Sequence, residues 1–180
     1  MQPVMQSSAA VGPAVIHLPT SEEEIRERIT AFGSKIPRVR EQARNDLVRT
    51  GRAAVPWLIQ AMTHHEDQVR WEAAKSLADI ADPLSAAALV GALEDKDAGI
   101  RWLAATGLAT IGAAALPPLF SALIQRTKSQ HLREGAHHVC HDLAGRGSGP
   151  AKKVLQALDR LQPELFLPSA AYYALTEVTR

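Results

Sequence analysis

Residues 69 to 80 read VRWEAAKSLADI, and their spacing decides the fold. Val69, Ala73, Leu77 and Ile80 stand at i, i+4, i+8 and i+11, one face of an α-helix and no face of a strand. The same phrase returns as VREQARNDLVRT from Val39, IRWLAATGLATI from Ile100 and LREGAHHVCHDL from Leu132, at spacings of 30, 31 and 32 residues. Each copy carries an aliphatic residue, then Arg (Arg40, Arg70, Arg101, Arg133), then Ala (Ala43, Ala73, Ala104, Ala136) and a further apolar residue (Leu47, Leu77, Leu108, Cys140). A second apolar phrase alternates with it: VPWLIQAM from Val55, AALVGAL from Ala87, LPPLFSAL from Leu116 and KKVLQAL from Lys152, with IRERITAF from Ile25 ahead of the array and FLPSAAYYALTEV from Phe166 behind it.

Five helical hairpins follow: 21–32 with 36–50, 52–63 with 67–81, 83–94 with 98–112, 114–126 with 129–145, and 149–161 with 164–178. The boundaries carry matching chemistry. Thr20 or Ser21 with Glu24 makes a capping box, and Asp67, Asp97 and Ser129 are placed to accept the free amides at helix starts. Pro56, Pro83, Pro117, Pro118 and Pro150 fall near helix N-termini, and Gly33, Gly51, Gly112, Gly145 and Gly147 where helices stop. A hairpin of roughly 30 residues cannot bury its apolar face alone, so the fold class expected is all-α, an α-solenoid of about five stacked hairpins over residues 21–180.

The D-x-V-R-x-x-A-A-x-x-L phrase, the P-x-L-x-x-A-L partner helix and the period near 31 together resemble HEAT repeats, of the short HEAT-like type also found in phycobilin lyase subunits. The resemblance spans about residues 21 to 178 and is strongest from Ala53 to Leu123. It implies that the second helix of each hairpin lines the concave surface and that Asp and Arg form a ladder between repeats. Asp67 and Asp97 would be the acids of that ladder, which leaves Arg40 and Arg133, without Asp at the matching turns, free for a ligand. HEAT arrays serve mostly as binding scaffolds, so the resemblance implies a protein partner rather than a reaction.

The helical wheel assigns Glu72, Lys75, Ser76 and Asp79 to solvent, and Trp71 and Trp102 to one shared rim position. Partly exposed Trp is a common interface anchor, though packing against the next repeat is the plainer role. Leu103 and Thr106, standing where Glu72 and Lys75 stand one repeat earlier, make the third repeat's outer face more apolar. The partner-binding surface expected is therefore Trp71, Glu72, Lys75, Asp79, Trp102, Leu103 and Thr106, extended by Arg133 and His138.

Other functions fit less well. Twenty Lys and Arg oppose 19 Asp and Glu, and the middle of the chain is acidic while its flanks are basic, so no continuous positive track invites nucleic acid. No phosphate loop, zinc-spaced Cys pair or paired-carboxylate motif is present, and no catalytic residue, metal or cofactor is expected. Deoxyhypusine hydroxylase, a HEAT protein, uses several His-Glu pairs on its repeats. The one pair here, His65-Glu66, lies in a turn. A bilin lyase-like or metal-dependent HEAT protein, or a nucleic-acid-binding one, is the rival reading. In REGAHHVCHD (133–142), Cys140 takes a core position and His138 a solvated one. His137 and His141 lie one turn apart toward a neighbouring repeat, filling a junction that would respond to pH near neutrality. They are also the only pair there able to share a metal ion. The single Cys fits a reducing compartment, with the cytoplasm as the default. Residues 1–20, including the apolar Val11–Leu18, are expected to form a flexible tail, and no run of 18 apolar residues suggests a membrane span.

Overall fold

The structure, a computed structural model, describes Pro19 and residues 21–179. The expected tail, Thr20 included, otherwise lies outside these residues. The hairpins pair α1 (Glu22–Thr30) with α2 (Pro37–Thr50), α3 (Val55–Ala61) with α4 (Asp67–Ile80), α5 (Ala86–Ala92) with α6 (Ala98–Ile111), α7 (Leu116–Gln125) with α8 (Gln130–Gly145), and α9 (Gly149–Leu158) with α10 (Pro163–Val178). No strand occurs among the described residues. The first helices are shorter than the pattern suggested, because Gly51–Ala54, Pro83–Ser85 and Gly112–Ala115 wind as 3-10 turns before α3, α5 and α7. Ser21 and Glu24 form the capping box, and Asp97 and Ser129 cap α6 and α8. Asp67 does not cap, since it is already the first residue of α4; its carboxylate instead meets Arg70 and Lys96.

Two layers result. The second helices α2, α4, α6 and α8 pack in succession, and the first helices lie alongside them with α1 beside α3 and α5 beside α7. Leu47, Leu58, Leu77, Leu89, Leu93, Leu108, Leu119 and Phe120 are fully buried between the layers. The repeated small residues let the helices approach closely: a Cβ added at Gly135 of α8 would stand 2.6 Å from Leu93 Cδ2.

The last hairpin departs from the alternation. α9 lies along α8 and α10 along α7, so the two layers are exchanged relative to the preceding hairpins. The cause is the turn after α8. Gly147, at φ 93°, lets its own N–H bond Ala144 O and the Ser148 N–H bond Leu143 O, a Schellman pattern. Ser148 is also the N-cap of α9, accepting from the Ala151 N–H. With one residue closing one helix and opening the next, the chain doubles straight back onto α8.

Residues 98–125 are long and apolar enough to cross a membrane by composition, contrary to the expectation from uninterrupted runs. They are two helices, broken at Gly112 (φ 79°) and half buried against their neighbours, as core helices of an array are.

Candidate functional site

Each second helix begins with its repeated Arg, a cation at a helix N-terminus that the macrodipole disfavours. The structure shows what compensates. In all four repeats Nη1 of this Arg donates to the carbonyl six residues upstream: Arg40 to Ser34 at 2.7 Å, Arg70 to His64 at 2.9 Å, Arg101 to Asp95 at 2.8 Å and Arg133 to Thr127 at 2.6 Å. The Arg thus satisfies carbonyls left open where the first helix of its own hairpin ends, so it serves that C-terminus rather than opposing its own N-terminus.

Acids add to this unevenly. The Arg70 guanidinium binds Asp95 through Nε at 2.8 Å and Nη2 at 3.0 Å, and Asp67 at 2.8 Å. Burial pushes the Asp95 carboxyl up, but Arg70 and the Asp97 N–H outweigh it and hold it below its ordinary value. The hydrogen bonds from Lys96 and Arg70 lower Asp67 as well. The inter-repeat acid is therefore Asp95, with Asp67 on Arg70's own helix, and not Asp97, which is spent on its cap. Arg40 is not free either: with Arg44 it holds Glu72, at 3.2 and 2.5 Å. Among the described residues Arg133 pairs with no carboxylate and donates to Thr127 O.

This corrects two of the nine residues expected on the partner surface. Glu72 is 3% exposed and Leu103 4% exposed. The wheel treated each second helix as packing on its partner and one neighbour. An inner second helix packs on three, its hairpin partner and a second helix on either side, so only about a third of its circumference stays in solvent. Positions 72 and 103 meet the preceding repeat, and Ser76, also read as solvated, is fully buried with its hydroxyl donating to Glu72 O.

The remaining residues form a row across the exposed arcs of α4, α6 and α8. Lys75 bonds Asp79 at 2.5 Å, Thr106 donates to Trp102 O at 3.0 Å, and His138 is exposed. The two indoles part company. Trp71 is half-buried between the Arg44 guanidinium, 6.0 Å from its ring centre, and Gly99 at the start of α6. Trp102 is 62% exposed. The equivalent positions explain it: where Trp71 has Arg44 and Gly99, the repeat frame gives Trp102 Ala74, too short to cover it, and His131, whose ring lies 3.4 Å from Glu134. The signal was present in the repeat alignment, at the positions flanking the indole rather than at the indole itself.

Trp102 lines a groove of about 240 Å³ between α6 and α8 with Arg101, Ala105, His131, Glu134 and His138. Hydrogen bonds from Gln130 and His131 hold Glu134 below its ordinary value. A groove of about 390 Å³ between α2 and α4 is lined by Arg40, Arg44, Trp71 and Glu72. One of about 320 Å³ is lined by Arg133, Glu134, His137 and Leu158.

The histidine cluster divides as its repeat positions imply for His138 and Cys140, but His137 and His141 are exposed rather than packed into the neighbouring repeat. Their rings stack at 6.4 Å, and His137 Nε2 lies 2.9 Å from Asp159 Oδ1 beyond α9, a surface pair of the kind that contributes little. Among the described residues no three His, Cys, Asp or Glu side chains gather as a metal site. Burial raises the Cys140 thiol to about 12, which keeps it from acting as a nucleophile.

A sequence profile of HEAT repeats matches residues 25–109. A chain of the CpcE and CpcF complex of phycocyanin lyase from Nostoc sp. PCC7120 is similar in structure, with a TM-score of 0.58 and 24% identity over 84% of this chain and 98% of that one. An engineered protein (TM-score 0.42, 19% identity, 87% of this chain and 48% of that) and a designed armadillo repeat protein in complex with the peptide (KR)4 (0.38, 17%, 85% and 86%) match more loosely. No curated protein matches the sequence.

Proposed function

We propose that this chain, a HEAT-repeat solenoid, is a non-enzymatic scaffold or adaptor that binds a protein partner across the exposed arcs of its second helices, centred on Trp102. The exposure of that indole carries the reading. A large amphipathic side chain stands in water on a helix whose other faces are locked into the array, beside a groove with hydrogen-bonding groups on its walls, which is the form of an interface anchor. Lys75, Asp79, Thr106 and His138 supply the polar surround, with Trp71 and Arg133 at its edges. Glu72 and Leu103 support the surface from beneath. The row mixes both signs of charge, which suits a protein better than a nucleic acid. A buried, unpaired thiol agrees with a cytoplasmic setting.

Affinity capture from native lysate with the wild type and with Trp102→Ala tests this. The indole is exposed, so the variant keeps its fold, and it should lose the partner; equal recovery of the same partner by both overturns the reading. A cofactor-handling HEAT protein, of the bilin lyase or metal-dependent type, is distinguished by the absorbance spectrum and metal content of the purified chain. Stoichiometric pigment or metal would replace the scaffold with that rival.

A further inference from the structure

Helix α10 is apolar on both sides. Leu167, Ala171 and Ala174 face the array and are fully buried, while Leu165, Phe166, Tyr172 and Tyr173 are 64%, 43%, 56% and 69% exposed. At about 100° per residue, Gln162, Leu165, Phe166, Ser169, Tyr172, Tyr173 and Thr176 fill an outward sector about 120° wide that contains no charge. A helix with apolar residues all round is normally covered all round.

We infer that a second copy of this chain covers it, through antiparallel pairing of α10 with α10 across a two-fold axis at Ser169. The outward sector reads the same from both ends about that residue. Leu165 and Tyr173 stand four residues to either side, and Phe166 and Tyr172 three to either side. The two-fold inverts height along the helix but keeps the side of the seam, so Leu165 (about −40° from Ser169) meets the partner's Tyr172 (about −60°) and Phe166 (about +60°) meets the partner's Tyr173 (about +40°). That self-complementarity is what a two-fold interface requires. The small Ser169 at the crossing permits close approach.

Charge agrees at the rims. The Arg160 guanidinium sits 4.4 Å from the Phe166 ring centre at one end of the sector, and Glu177 lies at the other, held by Lys153 at 2.6 Å. Antiparallel pairing brings each Arg160 toward the other copy's Glu177. With about 150–250 Å² offered by a whole aromatic side chain, the exposed parts of these four residues amount to roughly 800–1,000 Å² over both copies, the size of a weak, transient interface. The dimer is therefore expected to be weak and reversible. It uses the layer opposite Trp102 and stands independently of the proposed partner surface.

Sedimentation of the full chain over a concentration series, with three exposed-site variants checked for helicity, tests the inference. Ser169→Arg sets like charges against each other on the axis and should weaken association by at least about tenfold. Ser169→Cys should form a disulfide-linked dimer under mild oxidation, whereas Thr110→Cys on α6 should not. The buried Cys140 takes no part in that reaction. A wild type monomeric at several hundred micromolar, association unaffected by Ser169→Arg, or equal cross-linking at positions 169 and 110 each overturns it.

Discussion

Replacing Arg70 by Ala should cost far more than making the same change at Arg101, although the two occupy one repeat position. Arg70 is 7% exposed and donates to Asp95 twice, to Asp67, and to the carbonyls of His64 and His65. Its removal leaves Asp95 with no cation inside a largely buried site, and truncating one partner of such a pair costs about 3–5 kcal/mol. Among the described residues Arg101 donates only to the carbonyls of Asp95 and Lys96. The loss of such bonds, where water can replace the donor, costs about 1 kcal/mol. For a chain of this size that is roughly 6–20 °C of Tm for Arg70→Ala against roughly 2–4 °C for Arg101→Ala. Urea titration followed by circular dichroism checks the free energies.

The acid limb adds a second reading of the same pair. The Asp95 carboxyl lies below its ordinary value in the folded chain, so its contribution is complete above the unfolded carboxylate value of about 4 and is lost as pH falls through the lower, folded one. The gap between the two variants should therefore narrow below about pH 4. If Arg70→Ala and Arg101→Ala prove equally costly near neutral pH, the assignment of Asp95 as the residue that sets them apart is wrong.

Three further outcomes are expected. Ala81, the residue ending α4, has φ 53° where Gly51 and Gly112 end α2 and α6, so Ala81→Gly should stabilise the chain by about 0.5–1 kcal/mol in thermal melts. Gly91 is helical with open space where a Cβ would go, and Gly91→Ala should also stabilise, by about 0.5–1 kcal/mol, whereas Gly135→Ala should destabilise because its Cβ would collide with Leu93. Cys140 should resist an aromatic disulfide reagent at pH 8 in the native chain and react at once in urea, so rapid native labelling would show that the α8 core opens.

The sequence pattern alone located the ten helices among the described residues, because the 3.6-residue period recurs through the array and most helix starts carry a Pro or a capping residue, although α4 ends at Ala81 where α2 and α6 end at glycines. Asp79 and His138 stand in solvent as the wheel placed them, Lys75 and Thr106 are half-buried, and Trp102, read at the rim with packing as its plainer role, is exposed. Glu72 and Leu103 were misplaced for a geometric reason: a wheel gives the angle of a side chain but not how many neighbours its helix has. The role of the repeated Arg was hidden because its partner is a backbone carbonyl, which has no letter in the sequence. The exchanged last hairpin was hidden too, since a sequence shows that a helix is amphipathic and not which layer its apolar face will find.

The repeats are not joined to one another by the same means. Buried ion pairs hold the N-terminal junctions, Glu72 with Arg40 and Arg44 tying the first repeat to the second and Arg70 with Asp95 the second to the third, whereas the third and fourth meet through the close approach of Gly135 to Leu93, with the more exposed pair of Arg126 and Glu94 beside it. In an array where each unit couples only to its neighbours, such differences act locally. Strong acid removes the charge of Asp95, whose carboxyl Arg70 holds below its ordinary value, and leaves apolar contact largely intact, so it should loosen the junction of the second and third repeats first. Cooling weakens burial of apolar surface and should loosen the C-terminal one. Hydrogen exchange followed along the chain would then find that the segment most prone to open shifts with the conditions, giving one solenoid two different weak points.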